Sequence, residues 1–142
     1  MTVFVDTNVL LDVLGKREPF FDDAAALWTL VERRLIEGVI SAVSVTNIYY
    51  IVRRLESRAV ALKSLRKIRR IFRVAACDES VIDRALQSDL KDFEDAVQLA
   101  TAEFADAACL VTRNPAHFAN DSIPVLTPAE FLTQDDVARL FD

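Results

Sequence analysis

Asp6 closes a short β-branched apolar run, Thr2 to Asp6 (TVFVD), and Thr7, Asn8 and Asp12 follow it on a helical apolar pattern from Thr7 to Leu14. A carboxylate held rigidly at a strand end can ligate a hard cation, or it can simply cap the helix. Asp92, Glu94 and Asp95 make a second acidic group at a helix start, where Asp92 and Asp95 share a face by i, i+3 spacing. The ordinary alternative there is dipole stabilisation of the first helical turn. Thr112, Arg113 and Asn114 form a third polar group directly after an apolar run. Brought together, the three groups would surround a cation with oxygen donors, and metal-assisted hydrolysis is the chemistry such an arrangement can perform.

The remaining composition removes competitors. Gly15 and Gly38 are the only glycines, so neither a dinucleotide fingerprint nor a Walker A loop is present. Cys77, Cys109 and His117 are too few and too scattered for structural zinc. Both cysteines lie in candidate strands among apolar neighbours and read as reduced, buried, inert thiols. A chain of 142 residues, 52% hydrophobic, suits one domain spanning 1–142 with a buried core. The longest uncharged stretch, Gly38 to Val52, is too short and too polar to span a bilayer, and the N-terminus lacks the basic region of a signal peptide. These features predict a soluble, cytoplasmic protein.

Alternating strands and helices must position the polar groups. Strands are predicted at Thr2–Asp6, Val39–Ala42, Val74–Cys77, Ala108–Val111 and Pro124–Leu126. Helices are predicted at Thr7–Leu14, Glu18–Arg34, Ser44–Glu56, Val60–Phe72, from the Asp78 cap through Gln87, and at Asp92–Ala105. Thr127-Pro128-Ala129-Glu130 reads as a capping box with proline at the first helical position. This order predicts a parallel sheet covered on both faces, with a functional crevice beyond the carboxyl ends of its strands. The residues just after those ends are Asp6–Asn8, Ser44–Asn47 and Thr112–Asn114.

Charge is unevenly distributed. Between Arg53 and Arg73 nine basic residues oppose only Glu56, within a chain of net charge −5. The stripe is either a solvated helix face or a track that steers a polyanion.

The blocks VDTNVLLD (5–12), ISAVSVTNIYY (40–50), KDFEDAVQLATA (91–102) and LVTRNPAHF (110–118), followed by PVLTPAEFL (124–132), occur in an order and spacing that resembles the PIN domain family. That is the fold of many VapC-like toxin ribonucleases, and the chain looks most like a subfamily with Thr-Asn in place of the second acid. The resemblance spans essentially the whole chain. It implies a Rossmann-like three-layer α/β/α sandwich with a central, mainly parallel sheet, and Mg²⁺- or Mn²⁺-dependent cleavage of RNA.

By the resemblance, Asp6 matches the first family acid and Asp95 the third, which makes them the expected metal ligands. Asp92 can supply a further catalytic carboxylate beside Asp95. Asn47 stands where a glutamate is usual and His117 where an aspartate is usual. Asn47 can coordinate through its amide oxygen or bind phosphate through its amino group. Neutral His117 would favour Mn²⁺ over Mg²⁺, and protonated His117 would contact phosphate; a plain surface histidine is equally compatible. Asn8, Thr112 and Arg113 are expected to orient ligands or phosphate, and the Arg53–Arg73 stripe to bind the flanking RNA backbone. The resemblance further implies a cognate antitoxin protein, a homodimer and no membrane association.

Other residues admit plainer readings. Ile48, Tyr49, Tyr50 and Ile51 can form a dimer or antitoxin contact or pack in the core. Trp28, Phe20, Phe72, Phe104 and Phe131 are expected in the core. Two functional alternatives compete with a ribonuclease: a non-catalytic RNA- or protein-binding module of the same fold, and a phosphatase-like hydrolase using Asp6 as nucleophile. The second normally needs an acid two residues further on, where Asn8 stands.

Overall fold

A computed structural model describes residues 1–142. Strands β1 (Thr2–Val5), β2 (Glu37–Ser41), β3 (Arg73–Ala75), β4 (Cys109–Val111) and β5 (Val125–Leu126) form one sheet in the order β3-β2-β1-β4-β5. Every neighbouring pair is parallel. Val3 is in register with Gly38 on one side and Cys109 on the other, so β1 is the central strand.

Two-residue periodicity divides β1 between two cores. Val3 and Val5 join the larger one, built on α1 (Thr7–Leu14), α2 (Phe21–Glu32), α3 (Ala42–Leu55) and α4 (Arg58–Ile71). Phe4 faces the opposite side, with Leu99 and Ala102 of α6 (Phe93–Phe104). There α5 (Glu79–Leu86) packs on α6 through Val81, Ala85, Ala96 and Ala100. Burial on both faces explains why the strands read as continuous apolar runs. The result is the expected three-layer α/β/α sandwich. Two short helices, α7 (Pro128–Leu132) and α8 (Asp135–Ala138), complete the chain, and α7 opens with the predicted Thr127–Glu130 capping box.

Differences from the predicted elements have local causes. β2 begins at Glu37, two residues early, because pairing with Thr2 extends the ladder. α2 begins at Phe21 rather than Glu18, with Asp22 and Asp23 filling its first turn. α8 and the 3₁₀ turns at Pro115–Phe118 and Arg139–Phe141 are too short to show a period. Trp28, Phe72 and Phe131 are buried as expected, and Trp28 meets Phe72 edge-on at 5.2 Å. Phe20 and Phe104 are not core residues, being 38% and 55% exposed. Phe104 is the last residue of α6, past the end of its buried face. Cys109 is buried, which pushes its thiol up to about 11, whereas Cys77 is only half-buried.

With two glycines available, α1, α2 and α6 end in paired Schellman bonds on other residues. Lys16, Arg34 and Asp106 take the left-handed position at φ 47°, 60° and 54°. Gly38 serves a different purpose: a Cβ there would lie 2.6 Å from the Phe72 ring and 2.7 Å from Val31, so only glycine lets that ring close onto β2.

Candidate active site

The carboxyl ends of β1, β2 and β4 and the first turns of α6 meet at Asp6. The Asp6 N–H continues the ladder to the Val111 carbonyl at 2.9 Å, fixing the residue at the strand end. Its side chain caps α1 by accepting the Thr7 N–H at Oδ1, 2.8 Å. The cap engages one of several acceptor sites, so the structural and the functional reading of this residue coexist. Asp6 is only 8% exposed, and such a carboxylate must be met by donors. Thr112 Oγ1 donates to Oδ2 at 2.8 Å, and Gln98 Nε2 donates to Oδ1 at 3.1 Å.

Gln98 is a positioning residue that the sequence reading did not single out. It lies one turn after Asp95 on α6, is 1% exposed, and reaches across to the start of α3. There Nε2 also donates to Ser44 Oγ at 2.9 Å, and Oε1 accepts from Ser41 Oγ. Ser44 Oγ in turn bonds Thr7 Oγ1 at 2.7 Å, which closes a buried polar network around Asp6. The available signal was a glutamine amid the apolar residues of DAVQLATA.

Asp92 is the N-cap of α6 and accepts the Asp95 N–H at 3.0 Å. Asp95 is half-buried, and its carboxyl is pushed up to about 6 by burial, then by the nearby charges of Asp92 and Asp6, with Glu94 adding less. His117, in the Pro115–Phe118 turn, stands near enough to oppose that shift. Asn47 Nδ2 donates to Glu94 Oε1 at 2.7 Å. The Glu94 carboxyl is raised by partial burial and by Asp92, while the Asn47 bond pulls it down. Glu94, a member of the acidic group at the start of α6, thus brings a carboxylate against Asn47 of α3, the position at which the resemblance puts asparagine in place of a glutamate.

Three expected substrate contacts have other occupations. Thr112 is fully buried behind Asp6, out of reach of a substrate. Asn8 accepts the Arg113 N–H at 3.2 Å and bonds Thr112 Oγ1 at 3.4 Å, tying α1 to the segment after β4. The Arg113 guanidinium forms a two-point pair with Asp12, with Nε to Oδ2 at 3.2 Å, and lies 4.1 Å from the Phe20 ring centre. Asp12 is buried, and its charge demands that partner. Arg113 therefore anchors α1, and Phe20 covers it.

The donor chemistry, carboxylate oxygens with an amide and a single imidazole, suits a hard divalent cation. No three His, Cys, Asp or Glu side chains stand close enough to one another to enclose one. The acids are gathered to the point of mutual repulsion without being closed into a cage. Asp95→Asn should therefore stabilise the metal-free protein at pH 7. The Asp95 carboxyl is raised above its unfolded value, so its stabilising contribution is complete below about pH 4 and is lost as the pH rises through about 6. Thermal melts in chelator should show the variant's advantage at pH 7 and none at pH 3.5; equal melting at both would exclude the repulsion.

A three-layer sandwich with acids gathered at the carboxyl edge of its parallel sheet defines the class. The chain belongs to the PIN domain family, whose model matches residues 2–116. No curated protein matches its sequence. Among solved structures, the chain is similar to a toxin-antitoxin complex from Klebsiella pneumoniae, with 25% identity over 89% of this chain and 97% of that one and a TM-score of 0.66. VapBC2 from Rickettsia felis, bound to a DNA fragment from its promoter, gives 16% identity, the same coverages and 0.68. VapC20 of Mycobacterium tuberculosis, a sarcin-ricin loop cleaving toxin, gives 15% identity over 76% and 86% of the chains and 0.60. The last two likenesses concern the fold alone.

Proposed function

We propose that the protein is a divalent-metal-dependent endoribonuclease, the toxin of a toxin-antitoxin pair. The observation that carries the reading is the convergence of Asp6 at the end of β1 with Asp92, Glu94 and Asp95 at the start of α6, where burial first and the neighbouring acids second push Asp95 up to about 6. Such crowding is characteristic of a site built for cation chemistry. Family membership and the toxin-antitoxin relative from Klebsiella pneumoniae support the same conclusion.

Asp6 and Asp95 would hold Mg²⁺ or Mn²⁺, with Asp92 or Glu94 as a further carboxylate. The ion, when bound, supplies an activated water and neutralises charge on the phosphodiester. Thr112, Gln98 and the Thr7 N–H keep the Asp6 carboxylate from turning. Asn47 steadies Glu94, and exposed His117 is available to a phosphate oxygen. We further propose a cytoplasmic homodimer with a cognate antitoxin. No helix is long and apolar enough to cross a membrane, and Tyr50 of α3 is 59% exposed.

Removing metal is the decisive assay. Purified protein should cleave RNA with Mg²⁺ or Mn²⁺ and stop when chelator is added, while millimolar metal should raise its melting temperature by mass action. The open arrangement of the carboxylates favours one competitor, the non-catalytic module. Absence of both cleavage and a melting shift would establish that module instead.

A further inference from the structure

Arg34, Arg69, Arg70 and Arg73 line a concave pocket of about 550 Å³ together with Thr2, Glu37 and Gly38. Thr2 begins β1 and Glu37 begins β2, so the pocket lies at the sheet edge opposite Asp6. The sequence suggested one basic track leading to the site, but the end of α4 carries the last arginines of that stripe to the far edge. Glu37 is the one acid in the lining and is already paired with Arg73, Nε to Oε1 at 3.1 Å. Arg34, Arg69 and Arg70 make no ion pair.

The cations select their ligand. All four are arginines, whose planar fork matches the paired oxygens of a phosphate. Arg70 also lines an adjoining depression with Lys63, Arg66 and Lys67, so the charge continues along α4 as a row. Lys63 and Lys67, like Arg66 and Arg70, are i, i+4 neighbours of the same sign; Glu32 is the one acid in that lining and forms no ion pair with them, and Lys67 lies over the Trp28 ring. A row of cations outnumbering its single acid, on a chain of net charge −5, suits a repeating anion better than a single carboxylate. We propose that this pocket is a second phosphate-binding subsite for single-stranded RNA, away from the acids around Asp6. The choice of RNA rests on the ribonuclease reading above.

The test reads binding on protein that cannot cleave. In an Asp6→Asn background, fluorescence anisotropy with a labelled 20-nucleotide RNA is followed across a salt titration, with and without Arg34→Gln, Arg69→Gln and Arg70→Gln together. Each lost phosphate contact should lower the log–log salt slope by about 0.7, so the triple variant should lose about 2 in slope and at least about 10-fold in affinity at low salt. Arg70→Gln alone, should the triple variant fold poorly, is expected to lose about 0.7. Equal affinity and equal slope with the pocket intact or altered, or no RNA binding at all, would overturn the proposal. Pocket-dependent binding in a protein whose parent form never cleaves RNA would sink the ribonuclease reading alone.

Discussion

Asp6→Asn is expected to lower kcat/KM for RNA cleavage by about 10³-fold or more, with the fold retained. Its carboxylate is the junction of everything assembled at the carboxyl edge of the sheet: the β1–β4 ladder, the α1 cap, the Thr112 hydroxyl and the Gln98 amide. Asparagine keeps the same shape. Its remaining oxygen can still accept from Thr7 and Gln98, but its amino group faces a Thr112 hydroxyl that already accepts from the Asn114 N–H at 3.2 Å and Asn8 Nδ2 at 3.4 Å, so that bond is lost. Stability should accordingly fall by about 1–3 kcal/mol. What disappears is the negative charge and the oxygen that a cation would require. Cleavage assays beside thermal melts separate the two effects, and undiminished cleavage by a clean preparation would remove Asp6 from the mechanism.

Gln98→Leu is the second variant with a large expected effect. Leucine fills a similar volume but removes the buried bonds that Gln98 makes to Ser41 Oγ, Ser44 Oγ and Asp6 Oδ1, leaving Asp6 Oδ1 with the Thr7 N–H alone. The fold should lose about 1–3 kcal/mol. Because Gln98 touches the metal site only through Asp6, cleavage should fall about 10–100-fold. The half-maximal Mn²⁺ concentration should also rise, which a purely structural role would not produce. A variant that is less stable yet unchanged in metal dependence would restrict Gln98 to holding α6 against α3.

Much of this was legible in the sequence, for physical reasons. The order of strands and helices followed from periodicity, and the helix cap at Asp78 and the capping box at Thr127 followed from side chains that can bond only locally. The proximity of Asp6 to Asp95 came from strand-end logic and family resemblance together. What stayed hidden depended on pairings across long separations. Nothing near Arg113 indicates that Asp12, 101 residues earlier, occupies its guanidinium. Nothing near Asn47 points to Glu94. Gln98 is polar in an apolar run, and a single sequence cannot distinguish a buried polar residue with partners from a misplaced surface one.

The position of β1 at the centre of the sheet has a further consequence for the order of events during synthesis. β1 is the first strand made, yet its neighbour β4 ends at Val111, and the hydroxyl that orients Asp6 belongs to Thr112. A nascent chain emerging from the ribosome therefore carries Asp6 for most of its translation with one flank of β1 unpaired. The contacts that fix Asp6 cannot be completed until Thr112 has been made.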